Sequence, residues 1–113
     1  MKKQEIVKML KKNLSNRDVD KIILFGSFSR ETNNPDSDID ILVVTKDNSI
    51  PKSFSEKMAI KMPIANALSP LRKFADIDLL VYTRPMYQKF VTLDSGLKRE
   101  IEQFGTLVYE ADN

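Results

Sequence analysis

The sequence contains no cysteine and no histidine, and these two absences remove much of the catalytic chemistry open to a small protein. Without cysteine there are no disulfides, thiolate metal sites or thiol nucleophiles. Without histidine the commonest neutral-pH acid–base group and zinc ligand is missing, so serine–histidine and cysteine–histidine hydrolases are excluded. Long apolar runs are also lacking: none exceeds about five residues, which excludes a membrane-spanning helix. Nor is there a large charge of either sign. Eighteen Lys plus Arg against sixteen Asp plus Glu leave a formal charge of +2, too small a surplus to indicate a nucleic-acid binder, although five lysines crowd into the first twelve residues. No apolar signal-peptide core follows Met1, which sets the cytoplasm as the expected location. What remains for chemistry is carboxylates, hydroxyls and hard oxygen-binding cations such as Mg²⁺.

The composition, 42% hydrophobic and 30% charged over 113 residues, is that of a globular chain and suits a single domain across 1–113. So small a core hides only about two-thirds of the unfolded surface. A ligand site is therefore expected as a shallow groove or an edge completed by a partner.

Apolar residues at helical spacing (Ile6, Leu10, Leu14) predict an amphipathic first helix from Lys2 to Leu14, its lysines left for water. Lys21 to Phe25 reads as a buried strand that stops at a tight Gly26-Ser27 turn, with a turn of helix through Phe28, Ser29 and Arg30. A polar loop from Glu31 to Ser37 precedes a second strand, Asp38 to Thr45. Ser53 and Glu56 have capping-box spacing and open a helix toward Leu68, which Pro63 is expected to kink or split. Asp76 to Tyr82 is a third strand. A helix follows Arg84-Pro85 through Leu93, and another carries Leu97, Ile101 and Phe104 from Ser95-Gly96 to Gly105. Thr106 to Glu110 offers a short last strand. The order αβαβαβαα, with an optional final β, predicts an α/β (α+β) fold in which helices pack on a small sheet.

Three features stand out from these apolar elements: the Gly26-Ser27 turn and two Asp-x-Asp pairs, Asp38/Asp40 and Asp76/Asp78. Side chains alternate along a strand, so each pair presents both carboxylates on one face, about 7 Å apart at Cα. From that spacing both can converge on metal ions roughly 3.5–4 Å apart. Four aspartates crowded near buried strands would repel one another and be costly to desolvate, penalties that divalent cations remove. The Gly-Ser turn exposes free backbone N–H groups beside a hydroxyl, a common cradle for phosphate oxygens. Phosphate on one side and Mg²⁺ carboxylates on the other describe a nucleoside triphosphate site, with a third-strand carboxylate as the additional ligand and base.

Gly26-Ser27, ten residues, Asp38-Ile39-Asp40 resembles the signature of the DNA polymerase β-like nucleotidyltransferase superfamily, above all its minimal (MNT-type) members. The resemblance spans nearly the whole chain through Gly26-Ser27-Phe28-Ser29-Arg30, Ser37-Asp38-Ile39-Asp40-Ile41 and Asp78-Leu79-Leu80. It implies a small mixed β-sheet flanked by helices and the transfer of a nucleoside monophosphate, AMP from ATP, to a hydroxyl of a protein or small molecule. It also implies roles. Gly26 and Ser27 would hold the β- and γ-phosphates and Arg30 would face the triphosphate. Asp38 and Asp40 would ligate two Mg²⁺ ions, and Asp78 would complete one metal site and activate the acceptor hydroxyl. Asp78 is preferred to Asp76 because it sits inside the strand. Where the family often has a glycine after the arginine, this chain has Glu31, which alters the loop or brings a negative charge near the phosphates.

Family members of this size commonly serve as the antitoxin of a pair with a small helical HEPN-type protein, and some adenylylate that partner. The small domain independently supports a partner or self-association. Phe54, Met58, Met62, Tyr87 and Phe90 are candidates for an apolar contact patch, although core packing is the expectation for each. Two other function classes compete with catalysis. One is a non-catalytic interaction protein that neutralises its partner by binding. The other is a nucleic-acid module using the basic first helix, which lacks an aromatic platform.

Overall fold

The computed structural model describes residues 1–15 and 17–112. Its elements are α1 (Lys3–Leu14), β1 (Val19–Phe25), α2 (Gly26–Arg30), β2 (Ile39–Thr45), α3 (Phe54–Ala67), a 3₁₀ turn (Ser69–Lys73), β3 (Ile77–Tyr82), α4 (Arg84–Thr92), α5 (Gly96–Phe104) and β4 (Thr106–Glu110). The strands form one mixed sheet in the order β3-β2-β1-β4. β1 runs antiparallel to both β2 and β4, while β2 and β3 are parallel.

The period-2 alternation of the strands decides what lies on each face. Ile22 and Leu24 of β1, Ile39, Ile41 and Val43 of β2, and Leu79 of β3 point to one side, where α1 and the end of α3 cover them with Ile6, Leu10, Leu14, Ile64 and Leu68. Ile6, Leu10 and Leu14 are fully buried, as their i, i+4, i+8 spacing predicts, and the lysines Lys8, Lys11 and Lys12 are exposed. Ile23, Phe25 and Leu42 point to the other side, where Leu80, Tyr82, Tyr87, Phe90, Leu97 and Ile101 pack on them from β3, α4 and α5. This second layer is smaller. By the same alternation, Asp40 and Asp78 project on the α4/α5 side, at the end of the sheet that the layer leaves uncovered.

Several details differ from the sequence expectation. β1 begins at Val19, two residues early, because Val19 reaches β2 through a register shift opposite Thr45. Pro63 does not split α3, which runs unbroken from Phe54 to Ala67. Pro63 and Ala59, four residues before it, are both exposed, so solvent can take the carbonyl that the proline leaves without a donor. Ser53 caps α3 by accepting from Glu56 N at 3.1 Å, but Glu56 reaches Lys52 N rather than closing the box on Ser53. Phe54 and Met62 are 76% and 43% exposed, against the expectation of core packing, whereas Tyr87 and Phe90 do pack on the sheet. Phe104 is exposed as well, since Leu97 and Ile101 suffice to seat α5.

Candidate functional site

The end of the uncovered face is built around Asp40. Antiparallel register sets Phe25, the last residue of β1, opposite Asp40, and parallel register sets Asp78 beside Asp40 on the other flank. Neighbouring strands lie about 4.8 Å apart, so the two carboxylates share one small patch. Asp38 lies one residue before β2 and is exposed. It is delivered there by a hydrogen-bonded turn in which Ser37 Oγ accepts from Asn34 N and Asn34 Oδ1 accepts from Asp36 N, both at 2.9 Å.

Gly26 follows Phe25 with φ +74°, a left-handed conformation in which an L side chain is strained. A Cβ here would collide with Oδ2 of Asp40 and stand 2.9 Å from its Cγ. Glycine is thus required twice, for the turn and for the approach of the backbone to the Asp40 carboxylate. Ser27 follows at once, half-buried, as the second residue of α2. α2 is strapped down from two sides. Ser29 Oγ donates to the Phe104 carbonyl at 2.6 Å and lies 2.8 Å from Thr106 Oγ1, and Lys3 Nζ donates to the Ser29 carbonyl at 2.9 Å.

The electrostatics single out Asp40. Its carboxyl is pushed up to about 6, first by burial and then by the negative charges of Asp78, Asp38 and Glu100, with Arg30 pulling the other way. Glu100 was not a candidate from sequence. It lies on α5 beside Ile101, on the border of the stripe that seats the helix, and only the packing of α5 on the sheet carries it to the site. Glu100 Oε1 is 3.2 Å from Arg30 Nη1, and the Arg30 guanidinium sits 5.4 Å over the Phe104 ring. Arg30 is therefore held by two residues one turn apart on α5.

The two third-strand carboxylates part company. Asp78 is in register with Asp40 and its charge reaches it. Asp76 precedes β3, its carbonyl accepts from Ile39 N at 2.8 Å, and its side chain lines a cleft of about 310 Å³ with Asp38, Arg72 and Lys73. The two basic residues of the 3₁₀ turn were also missed from sequence. Among the described residues, then, the structure brings Gly26, Asp38, Asp40 and Asp78 together with Arg30 and Glu100, and sets Asp76 in an adjoining cleft that it shares with Asp38.

Among the described residues no three acidic side chains converge closely enough to hold a metal ion as they stand, but the chemistry of the donors suits a hard divalent cation. They offer carboxylate oxygens only, and a cation would relieve the burial and like-charge repulsion that push the Asp40 carboxyl up.

A search of curated proteins finds no match. Among solved structures, a toxin–antitoxin complex with AMP-PNP matches with TM-score 0.58 and 23% identity, over 98% of this chain and 75% of that one. A double aspartate-to-glutamate mutant of the toxin–antitoxin MntA-HpeT gives 0.57 and 22%, over the same shares. A candidate nucleotidyltransferase from Sulfolobus solfataricus gives 0.57 and 16%, over 96% of this chain and 79% of that one. At these identities the likeness establishes the fold. A family model described as "Polymerase beta, Nucleotidyltransferase" matches residues 4–74, which hold the Gly26-Ser27 turn and the Asp38/Asp40 pair. The chain therefore belongs to the polymerase β nucleotidyltransferase family, with the mixed-sheet fold of its minimal members.

Proposed function

We propose that residues 1–113 act as one nucleotidyltransferase domain that moves AMP from ATP to a hydroxyl of a protein partner, in a Mg²⁺-dependent reaction. The observation that carries this reading is the crowding of Asp38, Asp40 and Asp78 at one sheet end, against a glycine that leaves the Asp40 carboxylate open to the turn. Two Mg²⁺ ions held by these three carboxylates would neutralise the triphosphate and polarise its α-phosphoryl group.

The chain's own residues account for the rest. Gly26 and Ser27 offer backbone N–H groups and a hydroxyl to the β- and γ-phosphates, and Arg30 supplies a positive charge on the same side. Asp78, exposed at the strand end, takes the proton of the acceptor hydroxyl. The acceptor oxygen then bonds to the α-phosphorus, the bond from that phosphorus to the β-phosphate bridging oxygen breaks, and pyrophosphate leaves. No histidine is needed at any step. In this reading the acceptor lies on a HEPN-type partner. The sequence resemblance implies such a partner, and the fold shared with toxin–antitoxin proteins supports it at a coarse level. The cytoplasm, where ATP is plentiful, is the location this reading expects; no helix of the described residues is long and apolar enough to cross a membrane.

Thermal unfolding with ATP tests the nucleotide site. ATP should raise the melting temperature only when Mg²⁺ or Mn²⁺ is present, by an amount corresponding to about 2.7 kcal/mol at a hundredfold excess over the dissociation constant. Equal stabilisation by ATP in the presence of a chelator would count against recognition through metal and carboxylates.

A further inference from the structure

β3 is an edge strand, and a largely apolar groove runs beside it. Its volume is about 300 Å³, and it is lined by every residue from 79 to 83 together with Phe54, Met58 and Met86. Consecutive strand residues point to opposite faces, so a groove that touches all five runs along the backbone edge of β3 and not over one face. The hydrogen-bond register says which groups lie there. Ile39 N bonds to the Asp76 carbonyl, and in a parallel ladder alternate residues bond to the neighbour. Asp78, Leu80 and Tyr82 therefore turn their peptide groups toward β2, while Ile77, Leu79 and Val81 turn theirs to the open edge. At the end of the groove Thr83 is fully buried, and its Oγ1 has no hydrogen-bond partner among the described residues. Phe54 on the opposite wall is 76% exposed, a large apolar cost in an isolated chain.

We propose that this groove docks an extended, acidic segment of a partner protein, which adds to the sheet as a fifth strand beside β3. Main-chain pairing would satisfy the edge groups of Ile77, Leu79 and Val81, and an acceptor on the segment would satisfy Thr83 Oγ1. Alternate apolar side chains would cover Phe54, Met58 and Met86. Charge decides the occupant. Lys57 and Lys61 line the groove on α3, so acidic side chains on the segment are attracted. A second copy of this chain, pairing β3 with β3 about a two-fold axis, would bring both lysine pairs and both Asp78 carboxylates to one seam. A helix seated in the groove would leave the strand edge unpaired. The inference goes beyond the nucleotide reading and does not depend on it, because none of its residues holds metal or phosphate.

The test uses two synthetic nine-residue peptides, one alternating valine with glutamate and one alternating valine with lysine, titrated into the whole ¹⁵N-labelled protein. The acidic peptide should shift the amide signals of Leu79 and Val81 and slow their hydrogen exchange, binding about tenfold more tightly than the basic one. Lys57→Glu with Lys61→Glu, at positions outside both core clusters, should reverse that preference. Backbone N-methylation of alternate residues on the pairing edge of the acidic peptide should abolish binding. Equal binding of both peptides, binding without protection of the β3 amides, or protection of those amides in the protein alone through a concentration-dependent dimer would each overturn the proposal.

Discussion

Gly26 and Asp40 come together so closely that the glycine Cα hydrogen occupies the only space a side chain could have. The contact joins the two halves of the site, the turn after β1 and the carboxylates of β2 and β3. Gly26→Ala should therefore do two kinds of damage. A left-handed alanine costs roughly 1–2 kcal/mol, and displacement of the Asp40 carboxylate adds to that. Denaturant unfolding should show the loss in stability, and Mg²⁺-dependent ATP stabilisation should vanish in the variant even at temperatures where it is fully folded.

Asp40 makes stability fall as pH rises. Its folded value of about 6 lies above the ordinary 3.8, so the folded state holds the proton between those values while the unfolded chain has released it. The Asp40 contribution to stability is fully present below pH 4, declines from there to about pH 6, and is lost above. Asp40→Asn should melt higher than the parent at pH 7.5 in a chelator and show little difference at pH 4. Mg²⁺ should raise the melting temperature of the parent at pH 7.5 and leave the variant unchanged. A stabilisation by Asn that is the same at both pH values would refute the assignment of this charge penalty to Asp40.

Arg30 is restrained by Glu100 and by the Phe104 ring, both from α5. If Arg30 faces the triphosphate, loosening it should weaken ground-state binding more than chemistry. Glu100→Ala is expected to raise KM for the nucleotide several-fold and change kcat by less than about threefold. A collapse in kcat with KM unchanged would instead place Glu100 among the groups that handle the reacting atoms.

Glu31 occupies the end of α2 with φ 60° and ψ 34°, the left-handed position that a glycine fills without strain. The family's frequent glycine at this point is thus explained by geometry, and this chain keeps the geometry while lacking the glycine. Glu31→Gly should relieve about 1 kcal/mol of strain, offset in part by the greater freedom of glycine in the unfolded chain. The net effect is a modest rise in melting temperature. A fall would show that the Glu31 side chain contributes more than its backbone costs.

Much of this was legible in the sequence, and the reason is periodicity. The apolar runs ending in Gly26-Ser27 and passing through Asp38-Ile39-Asp40 and Asp78-Leu79-Leu80 each announce a strand, and alternation puts the carboxylates of each pair on one side. Pairing was not legible. That Phe25 faces Asp40, and that Asp78 lies beside it, depend on antiparallel and parallel registers set by the whole sheet. Glu100 was hidden for the same reason, since nothing local distinguishes it from Glu102, two residues on, which faces solvent. Phe54 and Met62 misled in the opposite direction. Their helical setting suggested core, but α3 buries only Ile64 and leaves its first turns over the β3 edge.

The most direct measurement is transfer of label from ATP to a copurifying partner, with the label on the α- or the γ-phosphate. The account predicts incorporation from α-labelled ATP only, dependent on Mg²⁺, and abolished by Asp38→Asn with Asp40→Asn while the fold persists. Transfer that survives the double substitution would contradict it. So would a partner neutralised equally well by the double variant with no label incorporated at all.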